Sequence, residues 1–117
     1  MRYMMIHYLE DSVFERENMD EQALDQFDAE MEAWDTEMDA RGILVGGGRL
    51  RQASATTTVR VREGELLVTD GPFAETKEQI AGYCILECAD LDEAIEVASR
   101  HPTAKIGTFE LRPYWDE

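Results

Sequence analysis

The sequence predicts an α+β domain with the element order β-α-β, a β-hairpin, then β-α-β. Three observations carry this: one long stripe of apolar residues at helical spacing, six short runs of strand length, and turn residues set between them. At 117 residues the chain fits a single domain over 1–117, with a core that hides roughly 65% of the unfolded surface.

Arg2 to Leu9 (RYMMIHYL) is a mostly apolar run bounded by acids and reads as a buried strand. If His7 shares a face with Tyr3, Met5 and Leu9, then Met4, Ile6 and Tyr8 occupy the other. Residues 10–20 are polar and irregular. From Glu21 to Arg41, Leu24, Phe27, Met31, Trp34 and Met38 recur at steps of three and four, which places them on one helical stripe. Asp25, Asp28, Glu32, Asp35 and Asp39 cover the remainder and read as a solvated face. Asp20 suits the N-cap, and Gly42 the C-cap.

Ile43-Leu44-Val45 opens a second strand that runs through Gly46-Gly47-Gly48 to about Arg51. Val59 and Val61 alternate with Arg60 and Arg62 as a half-buried strand, Glu63-Gly64 is a tight turn, and Glu65 to Thr69 returns as its partner. Residues 79–88 (QIAGYCILEC) form the next strand. Asp90 to Glu93 resembles a capping box, and Leu91, Ala94, Ile95 and Ala98 give a second helix its stripe. His101-Pro102 ends that helix, and Ile106 to Leu111 is the last strand. Without the hairpin, this order is the ferredoxin-like βαββαβ repeat. Both helices lie on one face of a four-stranded sheet, and a second subunit is the simplest cover for the other.

The 11 Lys and Arg against 26 Asp and Glu give a formal net charge of −15. This excludes nucleic acid as a default partner, since phosphate binding needs clustered cations, and argues against anionic membrane surfaces. No apolar run approaches the ~20 residues of a membrane span, and the N-terminus lacks a signal-peptide pattern, so a cytoplasmic protein is expected. Cys84 and Cys88, on one face of a strand and ~13 Å apart, are too distant for a mutual disulfide and read as core residues.

Thr69-Asp70-Gly71-Pro72-Phe73-Ala74-Glu75-Thr76-Lys77-Glu78-Gln79 is the most distinctive stretch. Asp, Gly and Pro each favour a turn for a different reason, but a structural turn has no need of this particular string. It resembles the signature of the YCII-related, or DGPF-domain, family. Arg2 to Met5, Gly42 to Leu50, Thr57 to Arg60, Leu91 to Ala94 and Glu110 to Pro113 fit the same family, so the resemblance spans almost the whole chain. It implies a ferredoxin-like domain that pairs into a dimeric α/β barrel, with a cleft between sheet and helices. It also implies association with extracytoplasmic-function sigma factors. In the wider superfamily a His–Asp pair is implied, with the His early in the first helical region; here the two histidines are His7 and His101.

Asp70, at a strand end beside the turn, has two readings: a general base or ligand acceptor facing the cleft, or a cap of its own turn. Phe73 reads as a core plug or a cleft wall. His7 is either a satisfied structural histidine or a cleft acid/base. His101 suits a capping role at a helix C-terminus. Arg49, Arg51, Arg60 and Arg62 concentrate positive charge, for ion pairs at a dimer interface or for an anionic ligand. The Gly46–Gly48 run lacks phosphate-loop spacing and reads as a bulge or a close backbone approach. No metal-ligand cluster, cofactor motif or nucleophile elbow is visible. The catalytic candidates are therefore His7 and Asp70, and the ligand-binding candidates are Arg49, Asp70, Phe73 and Tyr83. The leading expectation is a homodimer that binds a small molecule or a regulatory partner. An enzyme using Asp70 and His7 in the cleft is the alternative.

Overall fold

The computed structural model describes residues 1–14 and 20–115. Its elements are β1 (Arg2–Glu10), α1 (Glu21–Ala40), β2 (Leu44–Arg49), β3 (Thr57–Arg62), β4 (Glu65–Asp70), β5 (Glu78–Glu87), α2 (Leu91–Ser99) and β6 (Thr108–Pro113), with short 3₁₀ turns at Asp11–Phe14, Ala53–Ala55 and Pro102–Lys105. The four-stranded antiparallel sheet has the order β2-β5-β1-β6, while β3 and β4 form a separate two-stranded sheet. This is the ferredoxin-like βαββαβ order with an inserted hairpin. The irregular stretch expected at 10–20 begins as the end of β1 and a 3₁₀ turn and ends at the cap of α1, and residues 15–19 fall outside the described residues.

Local chemistry fixes the element ends. The Asp20 carboxylate accepts from the Ala23 N–H at 2.7 Å and starts α1. Arg41 caps the other end, and Gly42 takes a positive φ of 71° that L side chains rarely adopt. At α2, Asp90 accepts from the Glu93 N–H, while the Glu93 carboxylate reaches back to the Ala89 N–H, one residue before the cap. Glu63 and Gly64, both at positive φ, make the primed turn that a two-residue hairpin favours.

Alternation along β1 sends Tyr3, Met5, His7 and Leu9 toward the helices and leaves Met4, Ile6 and Tyr8 half-buried on the outer sheet face. The core joins Tyr3 and Met5 to Leu86 and Cys84 of β5, Trp34 and Met38 of α1, and Ala94, Val97 and Ala98 of α2. Trp34 donates its indole N–H to the Val97 carbonyl at 3.0 Å, which clamps the helices to each other. The stripe expected for α2 is corrected in part. Leu91 and Ile95 are exposed, and Ala94, Val97 and Ala98 are buried, because at 100° per residue the buried face is centred between Val97 and Ala94 and leaves Leu91 and Ile95 at its border.

A slip in the β1–β5 register between His7 and Tyr8 inserts Ala81 as an unpaired residue. Ala81 and its neighbour Gly82 thereby both line the helix side of the sheet. The radius of gyration, 16.4 Å, exceeds the ~13 Å of a compact chain of this length. Among the described residues no helix is long and apolar enough to cross a membrane.

Candidate functional site

The helix α1 does not close completely on the sheet. Toward its C-terminal end Trp34 and Met38 are buried, but Leu24, Phe27 and Met31 face an open cleft of about 750 Å³. The stripe read as core therefore divides into core and cleft wall. Opposite α1 stand Gly46–Gly48 and Arg49 of β2, Ala81–Cys84 of β5, and His7 of β1. His101, Thr103 and Ile106 also contribute to the lining. The β2 glycines have a packing reason: at Gly47, where φ is +146°, a Cβ would collide with the Tyr83 carbonyl oxygen.

An aromatic nest forms one end of the cleft. The His7 ring lies 4.5 Å from Phe109 and 5.0 Å from His101, both edge-on, and His101 lies 4.7 Å from Trp34. The His101 Nδ1 accepts from the Thr103 N–H at 3.2 Å and sits 2.7 Å from the Thr103 hydroxyl. Nδ1 is thus unprotonated, and the neutral ring keeps its proton on Nε2. His101 is 2% exposed; it caps the 3₁₀ turn Pro102–Lys105, while Arg100 ends α2. This corrects the helix C-terminal role expected for it. Burial pushes its pKa down to about 3, with the nearby His7 charge adding to the effect. Burial likewise pushes His7 down to about 4. Both rings are uncharged near neutrality.

His7 Nε2 is buried with no hydrogen-bond partner among the described residues. A buried polar atom left this way costs roughly 1–3 kcal/mol, so it is a hydrogen-bonding capacity held open. Across the cleft, Asp28, Asp35 and Asp39 belong to the lining, although they read as solvated in the sequence. Their spacing of seven and four residues runs along one border of the apolar stripe, a signal that periodicity assigns to solvent. Partial burial raises the Asp35 carboxyl above its ordinary value. Cys84 is pushed up to about 12 by burial, and secondarily by Asp35, so the buried thiol is a poor nucleophile. Among the described residues no group of three His, Cys, Asp or Glu side chains is placed to hold a metal ion.

Of the residues singled out from sequence, the fold brings His7, Arg49 and Tyr83 to the cleft lining and leaves Asp70 and Phe73 outside it. Asp70 ends β4 opposite Thr57, and the turn is tied by the Gly71 N–H donating to the Thr56 carbonyl and by the Thr58 hydroxyl donating to the Gly71 carbonyl, each at 2.7 Å. Phe73 is no core plug: it is 78% exposed, with the Arg60 guanidinium 5.9 Å from its ring centre. The reason is topological. The hairpin pairs only with itself, so its residues share no wall with α1.

The YCII-related domain model matches residues 1–117. The chain belongs to the YCII-related family. A relative, an uncharacterised protein of Rhizobium meliloti (strain 1021), is 46% identical over 67 residues, which are 56% of this chain and 54% of that protein. The chain thus spans about half the length of the curated relative it matches. Among solved structures, the YCII-related fold is similar to 5-chloro-2-hydroxyhydroquinone dehydrochlorinase from Burkholderia phenoliruptrix AC1100, in complex with 2,5-dihydroxybenzoquinone. That similarity has a TM-score of 0.58 at 15% identity and covers 100% of this chain and 96% of the other, so it shows a shared fold.

Proposed function

We propose that this domain, as one half of a homodimer, binds a small ring compound bearing hydroxyl or carbonyl oxygens in the cleft between α1 and the sheet. The observation that carries the reading is His7, which lines a cavity of about 750 Å³ and whose buried Nε2 has no hydrogen-bond partner among the described residues; the cavity is of a size that suits a small ligand. Leu24, Phe27 and Met31 supply an apolar wall for a ring, and Arg49 and Asp35 supply polarity at the opposite sides. The neutral imidazole makes one hydrogen bond to a ligand oxygen without charge cost. The quinone bound by the dehydrochlorinase of similar fold has the same chemistry. Homodimer formation is supported by the outer sheet face, where Met4, Ile6 and Ile85 are half-buried and Ile80 is exposed. The sigma-factor association implied by the family resemblance gains no support from the cleft.

Acid–base catalysis in the same cleft is the second reading, favoured by the upward-shifted Asp35 on the wall facing His7. Asp35 takes the place that Asp70 held in the expectation from sequence.

Titration of the whole protein with 2,5-dihydroxybenzoquinone, catechol and hydroquinone, followed by NMR, tests the binding reading. Saturable shifts at His7, Tyr83 and Met31 are expected, with affinity falling about 5–10-fold in His7→Leu for one lost neutral hydrogen bond. Absence of shifts with all three compounds, or equal affinity in His7→Leu, overturns it.

A further inference from the structure

The β3–β4 hairpin stands off the rest of the molecule. Its strands pack on one another and make no substantial contact with the four-stranded sheet or either helix. Among the described residues its base is anchored, through the Thr56–Gly71 and Thr58–Gly71 hydrogen bonds. An isolated two-stranded hairpin is marginal in water and needs a surface to pack against.

Its two faces differ. Val59 opposes Val68 and Val61 opposes Leu66, so these four aliphatic side chains share one face. Each is between 58% and 64% exposed. The opposite face carries Arg60, Leu67 and the Arg62–Glu65 pair, with the Phe73 ring beneath Arg60. The arm therefore has an apolar patch of four aliphatic side chains, with Asp70 opposite Thr57 at its base and charged residues on the other face, the arrangement of an interface core and rim. An aliphatic patch left in water on an arm with open strand edges is also an aggregation hazard.

We infer that the apolar face of this arm docks on a second copy of the chain, exchanged reciprocally across a two-fold axis. The inference rests on the homodimer reading above and names the element that holds the dimer. Two arguments favour a second copy as the occupant. The first is area. One arm offers apolar surface on the order of a few hundred Å². In a two-fold exchange each copy buries its own arm and the surface that receives the other, which approaches the ~800 Å² per partner of a stable dimer. The second is complementarity within the chain. The outer sheet face carries an apolar strip of half-buried Met4, Ile6 and Ile85 with Ile80, 46% exposed, flanked by Glu110 and Arg112 of β6 and by the Arg2–Glu87 ion pair, and among the described residues nothing covers it. Each copy thus presents both an apolar arm and an apolar receiving strip, which is what an isologous contact requires. A net charge of −15 disfavours an anionic membrane as the cover.

The test measures dissociation of the full chain by light scattering and analytical ultracentrifugation, for wild type and for the Val61→Lys, Leu66→Lys double variant. Thermal melting of the dilute proteins controls for folding. The inference expects a wild-type dimer, a dissociation constant raised at least tenfold in the variant, and an unchanged melting transition when both are monomeric. A second measurement is hydrogen exchange across residues 57–70, which is expected to slow on concentrating wild type and not the variant. A monomeric wild type at micromolar concentration overturns both the dimer reading and this one. A dimer whose dissociation constant and arm protection are the same in wild type and variant overturns the arm's role and leaves the dimer reading standing.

Discussion

The sheet beneath α1 and the β3–β4 arm are both made of apolar strands, yet one hides its side chains and the other leaves them in water. Leu86 of β5 is fully buried, whereas Leu66 of β4 is 64% exposed. The difference is not one of hydrophobicity. β1 and β5 have helices laid over one face by their connections, while the arm is joined by a two-residue turn and pairs with no other strand among the described residues. An alternating sequence states which side of a strand is apolar; the connection decides whether that side is covered.

Four experiments break or sharpen this contrast. Leu86→Ala should cost about 2–5 kcal/mol of unfolding free energy in urea. Val61→Ala on the arm should cost less than about 0.5 kcal/mol in dilute protein. Similar costs at the two sites would erase the distinction. Next comes acid. His7 and His101 have folded pKa values of about 4 and about 3, below their unfolded value of roughly 6.5. As pH falls the unfolded chain binds protons first, so stability is intact above roughly pH 6.5 and is lost from there downward. The loss should be on the order of 3 kcal/mol for each histidine by about pH 4. Subtracting the profile of His7→Leu isolates the His7 part from the carboxylates, and identical profiles for wild type and variant would remove it. Third, Gly47→Ala should cost roughly 1–3 kcal/mol through backbone strain against Tyr83, whereas Gly48→Ala, whose Cβ would meet only the Tyr83 ring at 3.9 Å, should fold normally. Both are read by thermal melting. The smallest effect is expected from Asp90→Ala, about 1 kcal/mol from the lost cap of α2; no change there would place α2's stability wholly in its packing.

The fold was legible where local chemistry and global structure agree. Asp20 and Asp90 cap their helices, Glu63-Gly64 turns the hairpin, and the alternation in β1 correctly sends His7 to the side of Tyr3 and Met5. The boundaries were less so: β2 ends at Arg49 and β6 begins at Thr108, because the backbone there leaves the ladder while the side chains still look strand-like. The site was legible only in part. His7, Arg49 and Tyr83 line the cleft, but the aspartates of α1 do not announce themselves, since an acid at the border of an apolar stripe looks the same whether water or a cavity lies beyond it. His101 was read from its place at the end of a helix, whereas it caps the next turn through Thr103, two residues on, and its burial beside His7, Trp34 and Phe109 comes from long-range packing. The Asp70–Phe73 turn misled for a related reason: unusual local residues mark a turn, and only topology says which side of the molecule it faces.

The glycines of β2 carry one more consequence. Where Gly46, Gly47 and Gly48 line the cleft, the wall is peptide backbone held in the ladder with β5. Such a surface has no rotamers to adjust and none to freeze. A flat molecule that fits against it loses no side-chain entropy from the protein on that side. A thicker one meets peptide planes that cannot swing away. Along this side the cleft therefore selects by thickness before it selects by functional group.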